Sequence, residues 1–158
     1  MVVCYINYNI MKITIISIGK DHEDIYREAI SNFNSRVLRY VPIEWVFSEH
    51  QGSKDKESEK ILSLIKKEDY VVLLDEKGTL MRSEEFAGFI ENKMVDSVRR
   101  IVFVIGGAYG VNDKVKERAN YILKLSSFVF PHMLVRLILV EQIYRAFTIL
   151  RGEKYHHQ

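Results

Sequence analysis

The 158-residue chain contains one cysteine, two prolines and eight glycines. Cys4 alone can form no intramolecular disulfide, and with only five scattered histidines beside it no Cys-based zinc site can be assembled. The low proline and glycine counts leave no room for a collagen-like, proline-rich or Gly/Ser-linker segment. Charge of a single sign is lacking too: 23 basic against 21 acidic side chains give a net +2, which argues against holding nucleic acid by overall basicity. No apolar run reaches the roughly 18 residues of a membrane span, because Arg136, Glu141 and Arg145 interrupt the longest apolar segment. Met1 to Ile10 contain no Lys or Arg and no small-residue cleavage signal, so they do not read as a secretory leader. These absences imply a cytoplasmic protein with neither metal nor membrane in its chemistry.

What is present is an ordinary globular composition, 47% apolar and 28% charged, at the length of one domain. Residues 1–10 read as an amino-terminal extension and 11–158 as a single domain opening at Met11. Lys12 to Ile18 is a β-branched run closed by Gly19-Lys20, the pattern of a buried strand. From Asp21 to about Arg39, Ile25, Ala29, Ile30, Phe33, Val37 and Leu38 recur at helical spacing, and Pro42 ends the segment. A short strand over Ile43 to Phe47, a polar loop over Glu49 to Asp55 and a helix over Lys56 to Lys67 follow. Tyr70 to Leu74 and Ile101 to Ile105 are continuous apolar strands. The first leads into a turn composition at Asp75-Glu76-Lys77-Gly78 and a helix N-capped by Ser83. The second leads into Gly106-Gly107-Ala108-Tyr109-Gly110 and a helix over Asn112 to Ile122. Strands without alternation are covered on both faces. The expected fold class is therefore α/β, with a mostly parallel sheet and helices on both faces. The last helix, His132 to Leu150, is apolar on nearly every bearing, which calls for a second contact surface such as a partner subunit.

In open parallel sheets ligands bind beyond the carboxyl ends of the strands. Three such places stand out: Leu74-Asp75, the glycine-rich stretch 106–110, and Leu125 to Phe130. The glycine-rich stretch has neither the Gly-x-Gly-x-x-Gly order of a dinucleotide site nor the Lys-Ser/Thr ending of a P-loop, so it is either a tight connection or a loop for another ligand.

Taken in order, Val71-Val72-Leu73-Leu74-Asp75, Phe103-Val104-Ile105-Gly106-Gly107-Ala108-Tyr109-Gly110, Phe130-Pro131-His132 with Arg136, Glu141-Gln142-Ile143-Tyr144-Arg145-Ala146 and the ending Tyr155-His156 resemble the RlmH (YbeA-type) family of SPOUT-superfamily methyltransferases. The resemblance runs from Met11 to the end of the chain. It implies S-adenosylmethionine-dependent methylation of N3 of a pseudouridine in large-subunit ribosomal RNA, on assembled ribosomes. It further implies a trefoil knot near the carboxyl end and a homodimer.

By the same resemblance, S-adenosylmethionine would be held by Leu74, Gly106, Leu125, Ser126, Ser127, Phe128, Val129 and Phe130. Apolar walls and backbone groups suit a flat, uncharged adenine, and a residue without a side chain lets the backbone approach it closely. The methyl is already activated on sulfur, so positioning and a deprotonated acceptor suffice and no metal is needed. His156 is the candidate general base, with Tyr155 and Arg145 orienting the acceptor or stabilising its developing charge. Each has a plainer alternative. His156 lies in a terminal tail, and Arg145 stands four residues after Glu141, where a helical ion pair is favourable. Arg136, in an apolar helix, needs a partner, either a phosphate or a carboxylate across a dimer. His132 suits local hydrogen bonding that shapes the cofactor loop, Asp75 suits a turn, and Trp45 and Tyr144 suit the core or an interface. Rivals to the enzyme are an RNA-binding protein of the same fold and a relative acting on transfer RNA.

The small net charge conceals a polar distribution. Residues 1–98 carry 13 basic and 17 acidic side chains, and residues 99–158 carry 10 and 4. A local basic footprint for RNA therefore remains available in the carboxyl-terminal part.

Overall fold

The structure, a computed structural model, describes residues 11–157, so the expected extension at residues 1–10 lies outside the described residues. In chain order the elements are β1 (Lys12–Ile18), α1 (Asp24–Val37), β2 (Ile43–Ser48), α2 (Lys54–Leu64), β3 (Tyr70–Leu80), α3 (Ser83–Val95), β4 (Arg100–Ile105), α4 (Asp113–Arg118), β5 (Tyr121–Lys124) and α5 (His132–Leu150). The strands form one parallel sheet in the order β2-β1-β4-β3-β5.

Consecutive strand residues serve opposite faces. Ile13, Ile15, Ile101 and Phe103 pack with α1, α3 and α5. Ile16, Ile18, Val71, Val102 and Val104 pack with Ile61 of α2 and Val115 of α4. Both faces are thus apolar, which is why these strands show no alternation. Each such side chain contributes roughly 1.5–3 kcal/mol on burial.

Four departures from the sequence expectations follow from local chemistry. The helix expected over Asn112 to Ile122 ends at Arg118, and Tyr121–Lys124 forms a fifth strand instead. Asn120 causes the switch: its amide donates to the Val71 carbonyl (2.8 Å) and its side-chain oxygen accepts from the Val71 amide (2.8 Å), docking the chain onto β3. The turn expected at Asp75–Gly78 lies inside β3, which changes its register against β5 between Leu74 and Thr79. There Asp75 Oδ1 accepts from the Lys77 amide at 2.8 Å, so the turn-forming carboxylate is real even though the strand continues. The N-cap of α3 is Arg82, not Ser83. Ser83 Oγ instead donates to Gln142 Oε1 at 2.7 Å and ties α3 to α5. Finally, Ile25, expected on the apolar stripe of α1, is exposed.

The final helix keeps its expected bounds. It lies on the sheet between α1 and α3, and Tyr144 meets Phe33 of α1 at a ring separation of 5.9 Å. Its all-round apolar surface is therefore covered on three sides by its own chain. Among the described residues no helix is long and apolar enough to cross a membrane.

Candidate functional site

A cavity of about 630 Å³ opens at the carboxyl end of β4 and beside Leu74–Lys77 in the middle of β3, between the loop 106–111 and the segment 125–130. That volume falls within the range of small-molecule sites. Backbone proximity shapes it. A Cβ on Gly106 would stand 3.0 Å from Val111 Cγ1 and 3.3 Å from the Gly110 carbonyl carbon, and one on Gly107 would stand 2.8 Å from Glu57 Oε2. The loop closes through a Gly110 amide bond to the Gly107 carbonyl (2.9 Å), with Gly110 at φ +74°. Opposite, Ser126 Oγ accepts from the Phe128 amide at 2.9 Å, which holds Phe128 and Val129 outward, more than four-fifths exposed. Lys54, Lys77, Lys116 and Lys124 stand around the cavity with Asp75 and Glu76. A second cavity of about 370 Å³ shares Leu123, Lys124, Leu125, Ser126 and Phe130 and extends toward Arg82, Ser83 and Gln142.

The first turns of α5 anchor this region. Arg136 is fully buried, and its hydrogen-bond partners are Ser17 Oγ (3.0 Å), the carbonyls of Lys20 (3.0 Å) and Ile18 (3.4 Å), and His22 Nδ1 (3.4 Å). Its guanidinium also lies over the Phe47 ring. The partner expected for it, a phosphate or a carboxylate, is thus replaced by the carbonyls at the end of β1. Ser17 also bonds His132 Nε2 at 3.0 Å. Because Arg136 can only donate to Ser17, the serine hydroxyl is free to donate to His132. Burial, and then the Arg136 charge, lower the pKa of His132 and push that of His22 down to about 4.

At the other end of α5 the chain folds back on itself. Gly152 (φ +65°) donates to the Ile149 carbonyl and Glu153 to that of Thr148, a pair of bonds that reverses the chain after the helix. This returns Tyr155 and His156 to the flank of α5. A single oxygen of Glu141, Oε1, accepts from Arg145 Nε (3.1 Å), Arg145 Nη2 (2.6 Å) and the Tyr155 hydroxyl (3.1 Å). Arg145 Nη1 lies 3.3 Å from His156 Nδ1, and His156 Nε2 lies 2.9 Å from Glu84 Oε1 at the start of α3. Arg145 stacks over the Tyr155 ring at 4.7 Å. Its hydrogen bonds to Glu141 raise its pKa; burial, then the Glu141 charge, raises that of Tyr155.

The family profile that matches residues 11–156 is described as predicted SPOUT methyltransferase. The chain belongs to the SPOUT methyltransferase family. Among its relatives, the ribosomal RNA large subunit methyltransferase H of Parabacteroides distasonis is 42% identical over 94% of this chain and all of its own length. The protein of that name from Geobacter metallireducens is 42% identical over 93% and 99%. A probable methylase family protein from Haemophilus influenzae shares the fold, with a TM-score of 0.52 at 17% identity, over 92% of this chain and 69% of its own.

Of the eight residues that the family resemblance assigns to the cofactor, seven line the larger cavity: Leu74, Gly106, Leu125, Ser126, Phe128, Val129 and Phe130. Ser127 does not. It is the middle residue of the turn that Ser126 Oγ closes onto the Phe128 amide. Arg145, Tyr155 and His156 come together as one network, though none of them lines the cavity. Val135 borders the cavity and Arg145 is ten residues further along α5, roughly 15 Å at the helical rise. Sequence reasoning missed Lys54, Lys116 and Lys124, which reach the cavity from α2, α4 and the end of β5; isolated lysines on amphipathic elements carry no signal of their own. It also missed Glu84, which resembles any acidic residue in a first helical turn. Among the described residues no group of three His, Cys, Asp or Glu side chains is placed to hold a metal.

Proposed function

We propose that the chain is an S-adenosylmethionine-dependent methyltransferase that acts on N3 of a pseudouridine in large-subunit ribosomal RNA, in the cytoplasm and on assembled ribosomes. The observation that carries this reading is the glycine-walled cavity, built from the same loops on which the family resemblance rests. The residues fit the cofactor. Gly106 and Gly107 let the loop pack closely on Val111, Ile18 and Glu57 and so follow its course along the cavity, Leu74, Leu125 and Phe130 supply apolar walls, and backbone groups of 125–130, apart from the Phe128 amide held by Ser126 Oγ, would meet an adenine edge. When bound, S-adenosylmethionine supplies a methyl already activated on a sulfonium sulfur.

The chain's own task is then to deliver a nucleophile. The N3–H bond of the acceptor breaks and its proton passes to His156, while the nitrogen keeps the electron pair with which it takes the methyl. Arg145 Nη1, beside His156 Nδ1, stabilises the transient imide anion, and Tyr155, whose hydroxyl is held by Glu141 and whose ring lies under the guanidinium, orients Arg145. Within one subunit the cluster stands too far along α5 to touch an acceptor at the cavity. A homodimer in which one subunit's tail meets the other's cavity closes that gap. Family membership supports a carboxyl-terminal trefoil knot, and a profile match that opens at residue 11 supports 11–158 as one domain with 1–10 as an extension.

Reverse transcription across large-subunit rRNA tests the activity, since an N3 methyl blocks the pairing edge and halts the polymerase. The stop is expected to vanish in a deletion strain and to return with the wild-type gene; its persistence in the deletion strain overturns the reading. His156→Ala is expected to lose about 10²–10⁴-fold in turnover while binding S-adenosylmethionine normally in calorimetric titration.

A further inference from the structure

The two ring nitrogens of His156 are held by groups of opposite character. A guanidinium can only donate, so Arg145 Nη1, 3.3 Å away, requires Nδ1 to be the acceptor. The neutral ring then carries its proton on Nε2, and Nε2 points at Glu84 Oε1, 2.9 Å away. A carboxylate can only accept, so both contacts select the same tautomer. We infer that Glu84 is a positioning residue: it fixes His156 as the Nε2–H tautomer and thereby presents Nδ1 as the basic nitrogen.

The surroundings are consistent with this assignment. The charged and titratable groups facing His156 are Glu84, with Arg82 behind it, from the start of α3, Arg145 and Glu141 from α5, and Tyr155 beside it in the chain. Glu141 is already committed to Arg145 and Tyr155, and Arg82 lies 3.6 Å from Glu84 Oε2, the oxygen that His156 does not use. Among the described residues Glu84 is thus the one carboxylate in hydrogen-bond contact with the imidazole. Its own backbone amide and His156 hold it below the usual carboxylate range, which keeps it an acceptor at neutral pH. The second nitrogen follows from the same geometry. Nδ1 is engaged by a donor that an acceptor N3–H can replace: the N3–H bond breaks, the Nδ1–H bond forms, and the released guanidinium is left beside the new imide anion. A carboxylate behind the ring stabilises the imidazolium so formed, as in other carboxylate-histidine pairs.

This inference rests on the reading of His156 as the base, and its test separates the two. In the full-length protein, imidazole nitrogen shifts of His156 are recorded by NMR for wild type, Glu84→Ala and Glu84→Gln, together with kcat, KM and S-adenosylmethionine affinity. Glu84 is partly exposed at a helix start, and cofactor affinity within twofold of wild type certifies the fold of each variant. The wild-type ring is expected to be the Nε2–H tautomer. Because Arg145 still donates to Nδ1, Glu84→Ala should weaken that preference, moving both nitrogen shifts measurably toward those of a mixed-tautomer imidazole, and should lose about 10–100-fold in kcat with little change in KM. Glu84→Gln keeps an acceptor oxygen without the charge, so it should retain the tautomer and recover part of the rate. Unchanged nitrogen shifts in Glu84→Ala overturn the inference, as does a weakened tautomer preference with full kcat in a protein whose His156→Ala variant is inactive. Full turnover in His156→Ala would instead sink the reading of the base, while the NMR comparison would still decide what Glu84 does.

Discussion

Two arginines on one helix, nine residues apart, meet opposite environments. Arg136 is fully buried, bonds carbonyls and a hydroxyl, and has no carboxylate among its hydrogen-bond partners; burial lowers its pKa. Arg145 is partly exposed, gives two donors to one oxygen of Glu141 and meets the tail histidine; its hydrogen bonds to that carboxylate raise its pKa. Charge alone therefore does not identify function on this helix. Arg136 fastens the amino-terminal turns of α5 to the end of β1 beside the cavity, held by two backbone carbonyls and by Ser17, His22 and the Phe47 ring. Arg145 sits among side chains able to exchange partners, which is what a group that meets a substrate requires.

The largest expected effect separates these roles by stability. Arg136→Met should destabilise the fold by about 2–4 kcal/mol, because removing the guanidinium leaves the Ile18 carbonyl and Ser17 buried without their donor and frees the part-buried Lys20 carbonyl. Chemical denaturation of the variant measures it. A loss below about 1 kcal/mol would show that the carbonyls find water or other donors and that the anchor is dispensable. Arg145→Ala is expected to reverse the pattern: about 10²-fold less turnover, near 2.7 kcal/mol of transition-state stabilisation, with under about 1 kcal/mol of stability lost, because its ion pair is reached by solvent. Should turnover and stability fall together, Arg145 belongs with Arg136 as a structural bridge.

The difference also explains what could be read in advance. The apolar runs Tyr70 to Leu74 and Ile101 to Ile105 announced central strands because both faces of this sheet are covered, and the 19-residue α5 kept its expected ends. Strand β5 was hidden because it has only four residues, one of them fully buried, and its start depends on Asn120 reaching Val71, 49 positions away. Likewise Asp75–Gly78 has the composition of a turn, and nothing local says that β5 passes within 2.6 Å of where a Gly78 Cβ would lie. At the site, the glycines and the segment 125–130 were legible through a family pattern. The partners of Arg136, 114 to 119 positions away, and Glu84, 72 positions from His156, were not, since a carbonyl or a helix-start acid looks the same whether or not it has such a partner.

The smallest expected effect carries the comparison into pH dependence. Burial and the Arg136 charge push His22 down to about 4, while the unfolded chain titrates it near its ordinary value of 6.5. Below pH 6.5 the unfolded state therefore gains a proton that the native state refuses, and stability falls until native His22 itself titrates near pH 4, where the loss levels off. His132, lowered by the same two causes, adds a contribution of the same sign. With allowance for solvent at a partly exposed ring, His22 accounts for about 1–2 kcal/mol of this loss. Denaturation midpoints between pH 7 and pH 4 should show the slope, and His22→Gln should make it shallower. In a His156→Gln background, which removes the one imidazole that Arg145 is seen to meet among the described residues, Arg145→Ala should leave the slope unchanged, because Arg145 faces neither His22 nor His132. A slope that followed Arg145 would place the proton-repelling charge at the wrong end of α5 and undo the distinction between the two arginines.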